Sequence, residues 1–190
     1  MTIDPISDFD FNKEGERAAM IDNYGVCLIS DVNDNSYLGH LQLHCSSITN
    51  QCRWISEVSE SLLFVKYDGA NLNIHDVHKK SLELKSPVKL DANQTLWIDV
   101  CPTNNNVLAA AGNDRKIKIY DRREAKIVET IGSLAKGYIN CVRWNPVGDK
   151  LVTASADEAA ALIFDFKTWK VLYTINTNDN SKTTSACFIQ

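Results

Sequence analysis

Along this chain the apolar residues come in short runs, bounded by turn-formers, that either alternate with polar residues or sit among small ones. No segment keeps a 3.6-residue apolar stripe long enough to compete as a helix, so the pattern predicts strands. Residues 107–121, VLAAAGNDRKIKIYD, show it most clearly. Leu108, Ala109, Ala110 and Ala111 are apolar and mostly small, which predicts a strand packed among neighbours on both faces. Asn113 and Asp114 predict the turn, because both residue types tolerate the left-handed region and hydrogen-bond nearby backbone donors. Ile117 and Ile119 then alternate with Lys116 and Lys118, the signature of a half-buried strand, and the run closes on Tyr120 and Asp121.

The same hairpin recurs. Strand-like runs end at Asp31, Asp76, Asp121 and Asp165, at intervals of 45, 45 and 44 residues. A second column upstream, Phe11, Trp54, Val100, Trp144 and Phe188, is spaced by 43, 46, 44 and 44. Two columns sharing one period predict a repeat architecture. The fourth unit reads as strands over 139–144, 151–155, 161–165 and 170–175, with turns at 145–149 and at Asp157-Glu158. The first offers 6–11, 18–21, 27–31 and 37–43 in the same order, and the second 48–54, 62–67, 72–76 and 81–84. The prediction is an all-β chain of four units of four antiparallel strands, at about 1–43, 44–90, 91–132 and 133–177, with residues 178–190 supplying the first strand of a fifth.

These residues resemble WD40 repeats. The fourth unit fits through Trp144, Asn145, Pro146, Gly148, Leu151, Thr153, Ser155 and Asp157, and the third through Leu108, Asp114, Ile117, Ile119, Tyr120 and Asp121. The resemblance implies β-propeller blades. Because propellers of this family close as rings of more blades than four, it also implies an incomplete, open ring, either part of a longer protein or an arc completed by another chain. The family's buried His, Ser/Thr, Asp and Trp tetrad is incomplete in every unit. Its His position falls at Asp91 and Ala135, and its Trp position is held by Ser30, His75, Tyr120 and Phe164. In the second and fourth units the turn is one residue longer, which displaces Asp68 and Asp157. Softer blades than the family ideal are expected, since apolar packing must carry most of their stability.

Composition narrows the class. Among 190 residues, 44% are hydrophobic, enough for a sizeable core, and a net charge of −4 with pI near 5.5 gives no bulk-charge reason to bind nucleic acid. The opening MTIDPISDFDF places acids where an export signal needs bases, and no apolar run approaches a membrane span. An intracellular chain, cytoplasmic or nuclear, is expected. The six cysteines (27, 45, 52, 101, 141 and 187) form no CxxC pair and read as reduced, buried small hydrophobes. The sequon at Asn93 is then unused.

Candidate chemistry is sparse. An acid found once per repeat at a turn or strand end is a turn-former rather than a catalyst, which covers Asp31, Asp76, Asp114, Asp121, Asp157 and Asp165. Asp22 and Asp34 are loop acids. His40, His44, Cys45 and Cys52 cluster in sequence but match no zinc spacing, and His75 and His78 stand in a strand-end slot and a loop. The basic run Arg115, Lys116, Lys118, Arg122, Arg123 and Lys126 is broken by Asp121 and Glu124 and reads as solvated charge. No nucleophile elbow, Walker loop, dinucleotide fingerprint or zincin motif is present, so no cofactor, metal or catalysis is expected.

The resemblance implies a protein–protein interaction scaffold. Loops 22–25, 68–71, 113–116 and 157–160 are expected at one rim, with 33–36, 77–80 and 122–125 at the other. A second reading comes from Tyr120, Asp121, Arg122 and Arg123, which fit the [WY]-D-x-R ending of propellers that act as substrate receptors of cullin-RING ubiquitin ligases. There Arg123 would anchor the ligase adaptor.

Overall fold

The computed structural model describes residues 5–22, 24, 26–34, 36–42, 49–55, 61–66, 71–76, 88–89, 95–132, 137–155, 160–176 and 183–189. Over these the chain forms antiparallel sheets of four strands, each built from strands consecutive in sequence. The first holds β1 (Ile6–Phe11), β2 (Arg17–Asp22), β3 (Val26–Asp31) and β4 (Tyr37–Gln42). The second holds β5 (Thr49–Ile55), β6 (Ser61–Lys66), β7 (Asn71–Asp76) and β8 (Val88–Lys89). β9 (Thr95–Val100), β10 (Val107–Gly112), β11 (Ile117–Asp121) and β12 (Lys126–Ile131) make the third. β13 (Ile139–Trp144), β14 (Lys150–Ser155), β15 (Ala160–Asp165) and β16 (Val171–Asn176) make the fourth. The expected four-stranded unit is therefore the observed one, a blade.

The chain divides into two compact units, Met1–Asn93 and Gln94–Gln190, each holding two blades. In the first, Ala19 and Ile21 of β2 and Cys27 and Ile29 of β3 pack with Cys52 and Trp54 of β5. In the second, Ala109 and Ala111 of β10 and Ile117 and Ile119 of β11 pack with Val142 and Trp144 of β13. In both units the second and third strands of one blade meet the first strand of the next. Burying a side chain of this size stabilises by roughly 1.5–3 kcal/mol, so the repeated apolar columns carry the core.

Asn12 and Asn145 build the same turn after the first strand. The Asn12 carbonyl accepts from Gly15 N–H at 3.0 Å and the Asn145 carbonyl from Gly148 N–H at 2.9 Å. Their side-chain oxygens accept from the N–H of Arg17 at 2.9 Å and of Lys150 at 2.9 Å. Both glycines have positive φ, 72° and 74°, where a side chain is strained.

Three expectations need correction, and a fourth falls outside the described residues. β11 is buried along its whole length, not half-buried, because Lys118 lies at 6% exposure with Nζ 2.6 Å from Asp114 Oδ2. The left-handed residue of the β10–β11 turn is Arg115, φ 59°, rather than Asn113 or Asp114. Asp114 instead accepts from Lys116 N–H at 3.2 Å. Residues 183–189 join no sheet, so the expected fifth-unit strand is an unladdered segment. In the second blade the described fourth strand is Val88–Lys89, pairing with Leu72 and Asn71; the expected 81–84 lies outside the described residues.

Candidate functional site

The first strand of each unit's leading blade carries acids that grip the next blade. Asp10 Oδ2 accepts from Trp54 N–H at 2.9 Å, and the Asp10 carbonyl accepts from Trp54 Nε1–H at 3.0 Å. Asp8 Oδ2 accepts from Cys52 N–H at 3.1 Å and pairs with Arg53 Nη1 at 2.7 Å. In the second unit Asp99 does both jobs. Oδ2 accepts from Trp144 N–H at 2.8 Å and Oδ1 pairs with Arg143 Nη1 at 3.1 Å. The Arg143 guanidinium also lies 5.2 Å from the centre of the Trp97 ring. An edge strand leaves alternate N–H groups unpaired, and a carboxylate from the neighbouring strand satisfies one with a charge-assisted bond. Sequence reasoning missed this joint. Its signal was present, since the residue just before the apolar column runs Asp10, Arg53, Asp99, Arg143.

The recurrent acids close turns wherever their side chains are described. Asp31 Oδ1 accepts from Asn33 N–H at 2.8 Å, and Asp121 Oδ1 from Arg123 N–H at 2.8 Å. Asp165 Oδ1 accepts from both Thr168 N–H and Thr168 Oγ1–H at 2.7 Å. Asp22 Oδ1 accepts from Tyr24 and Val26 N–H, each at 2.8 Å. The Arg123 guanidinium holds the Asp121 carboxyl below the usual carboxylate range, and the Thr168 hydroxyl does the same for Asp165. Asp76 ends β7, with its side chain outside the described set, and Asp157 lies outside the described residues.

The Tyr120–Arg123 element separates into buried and exposed parts. Tyr120 is fully buried, and burial raises its phenol above the ordinary value; its hydroxyl meets no hydrogen-bond partner among the described residues. Asp121 is buried. Arg122 ties its own loop, with Nη1 donating to the Asn105 carbonyl at 3.0 Å and its N–H to the Asn106 carbonyl at 2.8 Å. Arg123 is 64% exposed, but its fork closes on Asp121, Nη2 to Oδ2 at 2.8 Å and Nε to Oδ1 at 3.3 Å. Lys126 pairs with Glu124 at 2.7 Å. Three of the six residues of the basic run, Lys118, Arg123 and Lys126, thus pair with nearby acids.

Cys27, Cys52, Cys101 and Cys141 are buried, and Cys187 is exposed. Burial pushes the Cys27 thiol up to about 12 and raises Cys52 further. Among the described residues no three His, Cys, Asp or Glu gather as a metal site. The side chains of His40 and His75, and all of His44, Cys45 and His78, lie outside the described set. Among the described residues no helix is long and apolar enough to cross a membrane.

A family model described as "WD domain, G-beta repeat" matches residues 126–160, from β12 into β15. The chain is 39% identical over 71 residues to "WD repeat-containing protein AAC3" of Dictyostelium discoideum, covering 37% of this chain and 14% of that protein. It is 26% identical over 153 residues to "Ribosome biogenesis protein YTM1" of Meyerozyma guilliermondii, covering 68% of this chain and 33% of that protein. A chain of the "Crystal Structure of Mitotic Checkpoint Complex" superposes with a TM-score of 0.76 at 18% identity, over 95% of this chain and 53% of that one. The present chain thus spans only part of each of these proteins, and the structural likeness shows the fold. Repeat model, WD-repeat relative and fold point the same way: residues 126–160 match a WD40 repeat, part of the chain is similar to a WD-repeat protein, and the described sheets have the fold of propeller blades.

Proposed function

We propose that the chain is a non-catalytic interaction scaffold whose blades hold loops in place as a binding surface for other proteins inside the cell. The observation that carries this reading is how the recurrent acids are used. Asp22, Asp31, Asp114, Asp121 and Asp165 each accept backbone donors of their own turn, so the residue type most suited to acid–base work serves loop geometry. Rigid turns carrying exposed side chains suit recognition. Tyr24 at 66% exposure stands in the β2–β3 loop, and Arg115 and Lys116 are exposed between β10 and β11.

The test is affinity capture from the cell of origin with the wild-type chain beside Arg115→Glu/Lys116→Glu. A reproducible set of bound proteins, reduced by the rim reversal while circular dichroism is unchanged, supports the reading. Capture no better than a denatured control contradicts it. A narrower reading, substrate receptor of a cullin-RING ligase, is favoured by the exposure of Arg123 and opposed by its engagement with Asp121. Recovery of the ligase adaptor by wild type and its loss in Arg123→Ala would support that reading; equal recovery, or none, would remove it.

A further inference from the structure

The turn between β15 and β16 carries an aromatic ladder that runs outward from the core. Trp144 is buried, and its ring meets Phe166 edge to face with ring centres 4.8 Å apart. Phe166 is half-buried and meets Trp169 in the same way, again at 4.8 Å. Trp169 ends the ladder half-buried, with part of the residue open to solvent. The repeat does not require this ladder. One period earlier, at 44 residues, the same three positions hold Val100, Arg122 and Ala125. Ala125 takes the left-handed backbone of Trp169, φ 52° against 57°, so the turn closes with a methyl group in that place. A bulky aromatic in that region of φ is a genuine exception. The recurrent acids serve turns because every unit needs them; an aromatic ladder where alanine suffices is evidence of a use beyond the fold.

The turn is fixed in advance. Asp165 N–H donates to the Lys170 carbonyl at 3.0 Å and Trp169 N–H to the Asp165 carbonyl at 2.9 Å. Phe166 N–H donates to the Asp149 carbonyl at 2.9 Å, which ties this turn to the one between β13 and β14. Docking onto a turn held in this way costs little conformational entropy. Charge then gives the class of partner. Lys167 and Lys170, on either side of Trp169, are exposed and form no ion pair among the described residues. Lys118, Arg123 and Lys126, by contrast, each pair with an acid. The acids nearby are engaged, Asp149 with Lys150 at 2.8 Å and Asp165 Oδ1 with the Thr168 N–H and hydroxyl. Two free ammonium groups beside an aromatic platform suit carboxylates flanking an apolar side chain and repel a cationic segment. The net charge of −4 disfavours a polyanion such as nucleic acid.

We propose that Phe166 and Trp169, with Lys167 and Lys170, dock an acidic segment of a partner protein that carries an apolar residue among its carboxylates. Such docking rests on the scaffold reading and narrows it to one turn and one class of partner. A random-peptide phage library panned on the full 190-residue chain tests it. Recovered peptides are expected to be rich in Asp and Glu beside aromatic or aliphatic residues. Synthetic copies should bind Trp169→Ala about tenfold more weakly or worse, as loss of an aromatic anchor does. Lys167→Glu/Lys170→Glu should weaken them by a similar factor, and wild-type binding should fall as salt is raised. Ala125 shows that alanine closes this turn, and circular dichroism matching wild type establishes that each variant is folded. Recovery of basic or neutral peptides, or of none, would overturn the proposal. Acidic peptides that bind both variants as tightly as wild type would overturn it too, while leaving the scaffold reading in place. A single-stranded oligonucleotide that binds where the peptides do not, and more weakly to Trp169→Ala, would assign the turn to nucleic acid instead.

Discussion

Asp99 and Trp144, 45 residues apart, are joined by a 2.8 Å hydrogen bond from the Trp144 backbone N–H to Asp99 Oδ2. The bond spans two neighbouring blades, and Arg143 on the other carboxylate oxygen makes it charge-balanced. Asp10 and Trp54 repeat it at 2.9 Å in the other unit. Asp99→Ala leaves an N–H on a buried strand without its acceptor and should cost about 1–3 kcal/mol. Asp99→Asn keeps an acceptor and should cost less. Urea unfolding measures both; equal losses for Asn and Ala would show that charge alone matters.

Gly148 and Gly15 separate conformational strain from crowding. Both have positive φ, so alanine at either should cost about 1–2 kcal/mol through the backbone. At Gly15 a β-carbon meets open space, whereas at Gly148 it collides with Thr103 Oγ1 and comes within 3.0 Å of Cys101 Sγ. Gly148→Ala should therefore have the lower urea midpoint of the two. Identical midpoints would mean that Thr103 swings aside without cost.

Acid should destabilise the chain. The carboxyls of Asp121, Asp149 and Asp165 are held below the usual range by Arg123, Lys150 and Thr168 respectively. Their folded state binds fewer protons than the unfolded one, whose Asp pKa is about 3.9. Their stabilising contribution is complete above that value and is lost as pH falls through the lower folded values. The melting temperature should fall below about pH 4. Asp121→Asn should start lower and fall less. A melting temperature that rose on acidification would contradict this.

Thiol reactivity should divide the cysteines. Cys27 and Cys52, buried and with thiols shifted upward, should resist alkylation at pH 8 until the chain unfolds, and Cys187 should react in the native state. Mass-mapped labelling reads this out. Rapid native labelling of Cys52 would show that β5 does not stay packed on β2.

Most of the fold was legible because period-two runs and turn-formers recur at one spacing. What was not legible depended on contacts between distant residues. Lys118 looks like a solvent-facing position until Asp114, four residues earlier, is seen to bury it as an ion pair. Residues 183–189 have a strand's alternation but, among the described residues, no neighbour to ladder with. The joint between Asp99 and Trp144 needs knowledge of which edge of β13 faces β9, and periodicity does not specify it. Of the Tyr120–Arg123 element, sequence gave the order of residues; burial separates Tyr120 from Arg123.

Amide hydrogen exchange of the chain, alone and with a protein recovered by affinity capture, tests the scaffold reading most directly. The expected result is slowed exchange confined to rim loops such as 113–116 or 122–125, with the blade sheets unchanged. Protection that avoided every rim loop, or no protection with any captured protein, would contradict it.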